Sequence, residues 1–294
     1  MKTTITQSAD GETTFINIDM AVNNIQLSLN GKPVYTYGNV KSINEQLIDE
    51  ITNTRENGLD KVRKLLKQGA DINYQDSRGD TALICAVAES GKNSTEETVK
   101  LLIDSGANLN IQNKTGLTAL MCAAGDVTRH STTAAVRMLI DAGANLNLQD
   151  KCGLTALMMA ASLLGPECTI EMLVGAGADL GCKDINGNTV FDVVEPAKEH
   201  ILKRCVLSEM EKALQFIATT CKQTVIPLYE ESRASVVFKD GKELLYKLNC
   251  FKNRGTGELY NQATVDFRNI DIPADMVPEY AELCKKYNVM TVNL

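Results

Sequence analysis

The sequence predicts an α-solenoid of helix-turn-helix repeats, with an N-terminal β-hairpin segment and a C-terminal α+β module. Three observations carry that prediction. Two stretches read almost alike: GANLNIQNKTGLTALMCAA at residues 106–124 and GANLNLQDKCGLTALMMAA at residues 143–161. One glycine series, Gly69, Gly106, Gly143 and Gly177, advances in steps of 37, 37 and 34 residues. A second, Gly79, Gly116, Gly153 and Gly187, follows ten residues behind and keeps the same steps. Two registers that agree in four copies mark an internal repeat. The expected division is a hairpin segment over 1–42, a repeat array over 43–206 and a mixed module over 207–294.

Each part of the unit has a physical task. Gly79, Gly116, Gly153 and Gly187 close a polar turn, where a positive φ carries no steric cost. Thr81, Thr118, Thr155 and Thr189 then stand at helix starts, where a side-chain oxygen accepts from an orphan backbone N–H. Ala-Leu-x-x-Ala runs such as TALMCA make a short first helix with a small-residue face. The second helix, for example EETVKLLIDSG, spaces Val99, Leu102 and Ile103 along one apolar face. Gly69, Gly106, Gly143 and Gly177 follow its last turn, the place of a left-handed C-cap.

Turn, helix, loop and helix in this order resemble the ankyrin repeat. GDTALICA, GLTALMCA and GLTALMMA stand where that family carries Thr-Pro-Leu-His-x-Ala. The resemblance runs from about Leu47 to Cys205 and makes the predicted array an ankyrin-like α-solenoid of four to six units. The sequence departs from the family in two ways. Ala82, Ala119, Ala156 and Val190 replace the proline, and Ile84, Met121, Met158 and Asp192 replace the histidine. The extra residues of the 37-residue period fall between the helices, in polar stretches such as ESGKNSTEE and GDVTRHSTT.

The flanks switch to a strand pattern. Asp10-Gly11 and Asn30-Gly31 are two-residue hairpin signals. After Pro196, residues 197–221 read as a long helical region whose exact breaks the sequence does not place. ASVVFKDGKELLYKLNCF then reads as a hairpin on Asp240-Gly241, with Leu244, Tyr246, Leu248 and Cys250 alternating. ATVDFRN supplies a third strand, and VPEYAELCKKYN a helix opened by Pro278.

Chemistry is sparsely represented. Nine cysteines without a CxxC pair, several inside apolar runs, fit reduced thiols rather than a disulfide framework. The two histidines are His130 and His200, and only His200 with Cys205 or Cys221 suggests a nucleophile pair. No ligand spacing fits zinc and no Gly-rich phosphate loop follows a strand, so no metal, cofactor or catalytic residue is expected. A net charge of −7 argues against nucleic acid and suits a basic protein partner. The start lacks an apolar leader core and no run spans a membrane, which points to the cytoplasm, or to delivery into a host cytoplasm.

Binding is the function the repeats imply. By the resemblance, the recognition strip comprises the turn tips and the inner face of the first helices. In this sequence those are Ser77, Arg78 and Asp80; Lys114, Thr115 and Leu117; Lys151, Cys152 and Leu154; and Ile185, Asn186 and Asn188. The partner is then another protein, and the β flanks offer a route to homo-oligomers. The resemblance further suggests a bacterial or viral effector or antagonist, or an immunity protein that neutralises a toxin. The alternative is an enzyme whose C-terminal module modifies what the repeats recruit.

Overall fold

The computed structural model describes residues 2–9, 12–19, 26–29, 32–36, 41–53, 58–88, 96–125, 132–162, 166–224, 232–238 and 241–294, with backbone pairing alone up to residue 36. It divides into two compact units, Met1–Asn108 and Leu109–Leu294. The glycine turns at residues 10–11 and 30–31, Asp240, His130 and most of the two polar inserts between helices lie outside the described residues.

The first unit opens with four antiparallel strands in sequence order, β1 (Lys2–Ala9), β2 (Glu12–Asp19), β3 (Gln26–Leu29) and β4 (Lys32–Thr36). Ile5 pairs with Ile16, and Leu27 with Tyr35 across a register shift at Leu27/Ser28. Then come two helix pairs: α1 (Ile43–Asn53) with α2 (Gly58–Lys67), and α3 (Ala82–Ala88) with α4 (Glu96–Asp104). Helix α1 begins at a capping box. Glu45 N donates to Ser42 Oγ at 3.0 Å, while Glu45 Oε2 accepts from Ser42 N at 2.7 Å. Hydrogen bonds from the Ser42 N–H and side chain hold the Glu45 carboxyl below its ordinary range. First helix packs on first helix (α1 on α3), and second on second (α2 on α4).

The second unit continues the pattern with α5 (Ala119–Gly125), α6 (Thr132–Asp141), α7 (Ala156–Ser162), α8 (Glu167–Ala176) and a one-turn α9 (Val190–Val193). Again α5 packs on α7 and α7 on α9, while α6 packs on α8. The first helices are buried nearly all round, which is why they are written in Ala, Leu and Met: Leu120, Met121, Leu157 and Met158 are fully enclosed. Truncating a leucine of this kind to alanine costs about 2–5 kcal/mol. Thr118 and Thr155 Oγ1 accept from Met121 N and Met158 N at 3.3 and 3.2 Å, so each threonine caps its helix.

The GAN and GAD motifs are Schellman caps. Gly143 and Gly177 adopt φ of 84° and 90°. Their N–H groups donate to Ile140 O and Val174 O, and the following Ala144 and Ala178 donate to Leu139 O and Leu173 O. Those alanines are buried, so the motif ends a helix and plugs the core in three residues.

Beyond α9 the chain enters α10 (Glu199–Gln223), one unbroken helix of 25 residues. It packs on α8 of the repeats and also on the C-terminal sheet and helix. The expected boundary at 206/207 therefore falls inside a helix that serves both neighbours. Lys198, 6 % exposed, ties its start down by donating from Nζ to Ala160 O at 2.9 Å, beside Glu195 N on Ala161 O at 3.0 Å. Burial pushes its amine below the usual lysine range, against the pull of Glu195 and Glu167. This ammonium sits where the carbonyls at the end of α7 need a donor.

The tail is a four-stranded sheet in sequence order, β5 (Ser232–Val237), β6 (Glu243–Lys252), β7 (Leu259–Asp266) and β8 (Met290–Val292). Helix α11 (Val277–Lys286) follows a single 3-10 turn at Ala274–Met276 and returns the chain so that β8 runs parallel to β7. Leu244, Tyr246 and Leu248 alternate inward as expected, with Cys250 half-buried. Asp266 secures this end. Its carboxylate accepts from Arg268 Nε at 2.7 Å and Asn293 Nδ2 at 3.0 Å, which hold its pKa at about 2.

Two outcomes follow. A pKa below the unfolded 3.8 means that Asp266 lends stability above about pH 4 and loses it as pH falls through 2. Asp266→Asn should therefore unfold at lower urea than the parent at neutral pH, and the difference should close by pH 2. The second concerns Gly116, Gly153 and Gly187, all near φ of +80°. An added Cβ would meet backbone at 2.8 Å at the first two and nothing within 4 Å at the third. In urea titrations Gly187→Ala should cost about 1–2 kcal/mol, and Gly153→Ala a further ~1–3 kcal/mol.

Candidate functional site

The turn tips are built by one side chain each. Asp76, Asn113, Asp150 and Asp184 occupy the same place in four copies. Asn113 Oδ1 accepts from Thr115 N at 3.0 Å and Leu117 N at 2.9 Å. Asp150 Oδ1 accepts from Cys152 N and Leu154 N at 2.9 and 2.8 Å, and Asp184 Oδ1 from Asn186 N and Asn188 N, both at 2.8 Å. In the first unit Asp76 Oδ1 does the same for Arg78 N and Asp80 N. Each loop also closes through its backbone, as in Asp150 N on Leu154 O at 3.0 Å. With its polar groups satisfied inward, the loop turns the intervening side chains outward.

Burial raises the Asp184 carboxyl, but the N–H of Asn188, its side-chain amide and the N–H of Asn186 outweigh it and leave the pKa lowered. Asp76 is lowered in the same way by Asp80 N, Arg78 N and the Arg78 guanidinium, against its own burial. Both acceptors remain charged across the physiological range, which strengthens the turn.

Of the twelve expected strip residues, eight are exposed: Ser77, Arg78, Lys114, Thr115, Lys151, Cys152, Ile185 and Asn186. Ile185, 71 % exposed, is the largest apolar group among them. The other four turn inward. Asp80 is 9 % exposed and pairs with Arg78 Nε at 3.1 Å. Asn188 Nδ2 donates to Asp184 Oδ2 at 3.1 Å, and Leu117 and Leu154 are half-buried beside the helix starts. In the second unit three tips are joined edge to edge: Lys151 N donates to Thr115 O at 3.1 Å, and Ile185 N to Cys152 O at 3.0 Å. This junction is why Gly116 and Gly153 cannot carry a Cβ, since the next tip's backbone stands 2.8 Å from where it would be.

Behind the tips runs a second polar row that the sequence reading passed over. Asn44 Oδ1 accepts from Asp71 N and Asn73 Oδ1 from Asn108 N in the first unit, each at 2.8 Å. Asn110 and Asn147 accept from Asn145 N and Asp179 N at 2.9 and 2.8 Å in the second. Gln112 Nε2 bonds both Gly116 O and Gln149 O, and Gln149 Nε2 both Gly153 O and Lys183 O. The signal was present in DINYQD, NLNIQN and NLNLQD, whose third and fifth positions repeat Asn and Gln.

The residues considered for nucleophilic chemistry are not primed. Burial pushes the Cys205 thiol up, with Glu171 adding to it, and burial likewise raises Cys221. Cys284 reaches about 11 for the same reason. A reactive thiol requires the opposite shift. Among the described residues no group of three His, Cys, Asp or Glu side chains could hold a metal ion, and no helix is long and apolar enough to cross a membrane.

Comparison with known families agrees with this geometry. Residues 53–127 match the model described as ankyrin repeats (3 copies), and residues 127–163 the model described as ankyrin repeats (many copies). No curated protein matches the chain. With the turn, the paired helices and the left-handed caps in place, residues 53–163 are ankyrin repeats.

Proposed function

We propose that the chain is a non-catalytic binding protein whose repeats continue as one solenoid over 43–206 and grip another protein with the line of tips. Ankyrin repeats mediate protein–protein interaction in general. The observation that carries the reading here is the bonded line of three tips in the second unit. It displays Lys114 and Lys151 at equivalent positions, with Ile185 alongside. A rigid backbone under variable, outward side chains suits recognition, because little loop entropy is lost on binding.

The strip is locally basic and apolar although the chain is acidic overall, at −7. An apolar surface fringed with carboxylates complements it. A target gripped by a bacterial or viral effector, or a toxin blocked by an immunity protein, would meet that description. The raised thiols of Cys205 and Cys221 weigh against a nucleophile pair with His200, the pair the enzyme alternative would use.

Lys114→Glu with Lys151→Glu should weaken capture of the partner by about tenfold or more, and Ile185→Asp by a similar factor. Arg137→Glu, on the exposed side of α6, should leave it unchanged. A partner held equally by all variants would move the interface away from the tips. Thiol labelling gives an independent reading. Cys152 is exposed at a tip and should react quickly with a maleimide, whereas buried Cys85 and Cys284 should not. Bound partner should shield Cys152.

A further inference from the structure

The second unit encloses a cavity of about 370 Å³ where the last repeat meets the C-terminal module. Its wall is mostly apolar and comes from five parts of the chain. Leu180 lies in the last turn, Phe191 on α9, Val206 and Met210 on α10, Phe238 at the end of β5, and Tyr280 on α11. The cavity has a structural origin. In earlier copies an asparagine at the third turn position receives the N–H of the following repeat, but here that position is Gly181. A Cβ at 181 would lie 2.9 Å from Lys242 Nζ, so the Lys242 side chain reaches the place where a further turn's asparagine bond would have formed. A non-repeat module covers a face shaped for another repeat, and the fit leaves a hollow.

Most of the charged groups at its rim are already matched. Lys242 pairs with Asp179 at 3.1 Å and Glu209 with Lys212 at 2.5 Å. Asp192 accepts from Thr189 N and Oγ1 at 2.8 and 2.7 Å, and Lys183 is near enough to help hold its carboxyl down. Asp271 alone among the charged rim residues has no charged partner among the described residues, so the rim keeps one negative charge that disfavours an anion. Inside, one polar group is unanswered. Tyr280 is 2 % exposed and packs edge-on against Phe267, but among the described residues its hydroxyl has no hydrogen-bond partner. Burial pushes its pKa to about 12, so the group stays a neutral O–H.

We propose that this cavity binds a largely apolar small molecule without negative charge, carrying one hydrogen-bonding group that meets the Tyr280 hydroxyl. The volume lies in the range of small-molecule sites and holds about 15 to 20 non-hydrogen atoms at protein-like packing. Because its wall joins α9 and α10 to the C-terminal sheet, an occupant would brace the module against the last repeat.

The test uses the full chain and two fluorescent probes on one skeleton, neutral N-phenyl-1-naphthylamine and its charged analogue 1-anilinonaphthalene-8-sulfonate. The neutral probe should bind saturably, one per chain, and more tightly than the sulfonate. Met210→Trp, which fills the hollow, should weaken it at least tenfold. Tyr280→Phe should weaken it about 3- to 10-fold, the usual worth of one neutral hydrogen bond. Should Met210→Trp fail to fold by circular dichroism, Leu180→Trp at the half-buried rim takes its place. Absence of saturable binding, full binding in a folded tryptophan variant, or equal affinity for the sulfonate would overturn the proposal. Undiminished binding in Tyr280→Phe would overturn the role given to that hydroxyl. Loss of partner capture in the tip variants is read separately, so the two proposals fail independently.

Discussion

Everything in the repeats rests on disposing of backbone N–H groups in turns that are neither helix nor sheet. A helix pair satisfies its own interior but leaves its connecting turn with donors that water reaches poorly once another repeat is laid beside it. Here one amide or carboxylate per turn accepts two of those donors, and one asparagine per turn accepts a third from its neighbour, as Asn147 does from Asp179. The second contact is the more consequential. It crosses between repeats, so each copy is completed by the one that follows, and the spacing between copies is set by hydrogen bonds rather than by apolar contact alone. Apolar packing of Leu157 and Met158 supplies most of the free energy, but it would tolerate a range of offsets.

The two ends show what completion means. At the start, Asn44 on α1 takes the role that a turn asparagine plays elsewhere, accepting from Asp71 N. At the finish the pattern is dismantled position by position. Gly181 replaces the asparagine, Lys183 replaces the glutamine, and Gly187 has an open side where earlier glycines meet a neighbouring backbone. Asp192 stands where the family has histidine and forms a capping box with Thr189, which stabilises a helix of a single turn. Lys198 then closes α7 from below, and α10 takes over as both second helix and spine of the tail.

What was legible in the sequence divides along the range of the force involved. The left-handed caps at Gly143 and Gly177 and the threonine caps are local, so they print at fixed spacing and were read correctly. The strands carrying Leu244, Tyr246 and Leu248 were legible for the same reason, through alternation. The long helix past residue 206 was legible too, but not that one helix serves both repeats and tail, because its buried stripe has two partners and no proline or glycine marks the change. Strand β8 is three residues long and parallel to β7, too short for a period and paired across a helix. At the tips the outward direction of Lys114 and Lys151 was legible, while the inward turn of Asp80 and Asn188 was not. Each of those is a polar residue recruited by its own loop, through Arg78 and Asp184 respectively.

That division also separates stability from recognition within a single turn. Residues whose identity is dictated by the loop, such as Asp150 and Gly153, face inward and recur from copy to copy. Residues between them, Lys151 and Cys152 in one tip and Ile185 and Asn186 in the next, contribute only backbone atoms to the tip-to-tip bonds. Substituting their side chains leaves those bonds intact. The tips can therefore change chemistry freely while their spacing stays fixed, and a surface of that kind acquires specificity without loss of rigidity. The cavity beside Tyr280 follows the opposite logic. It arises where repetition stops and two unlike surfaces meet, so its shape belongs to this chain alone and not to the repeat.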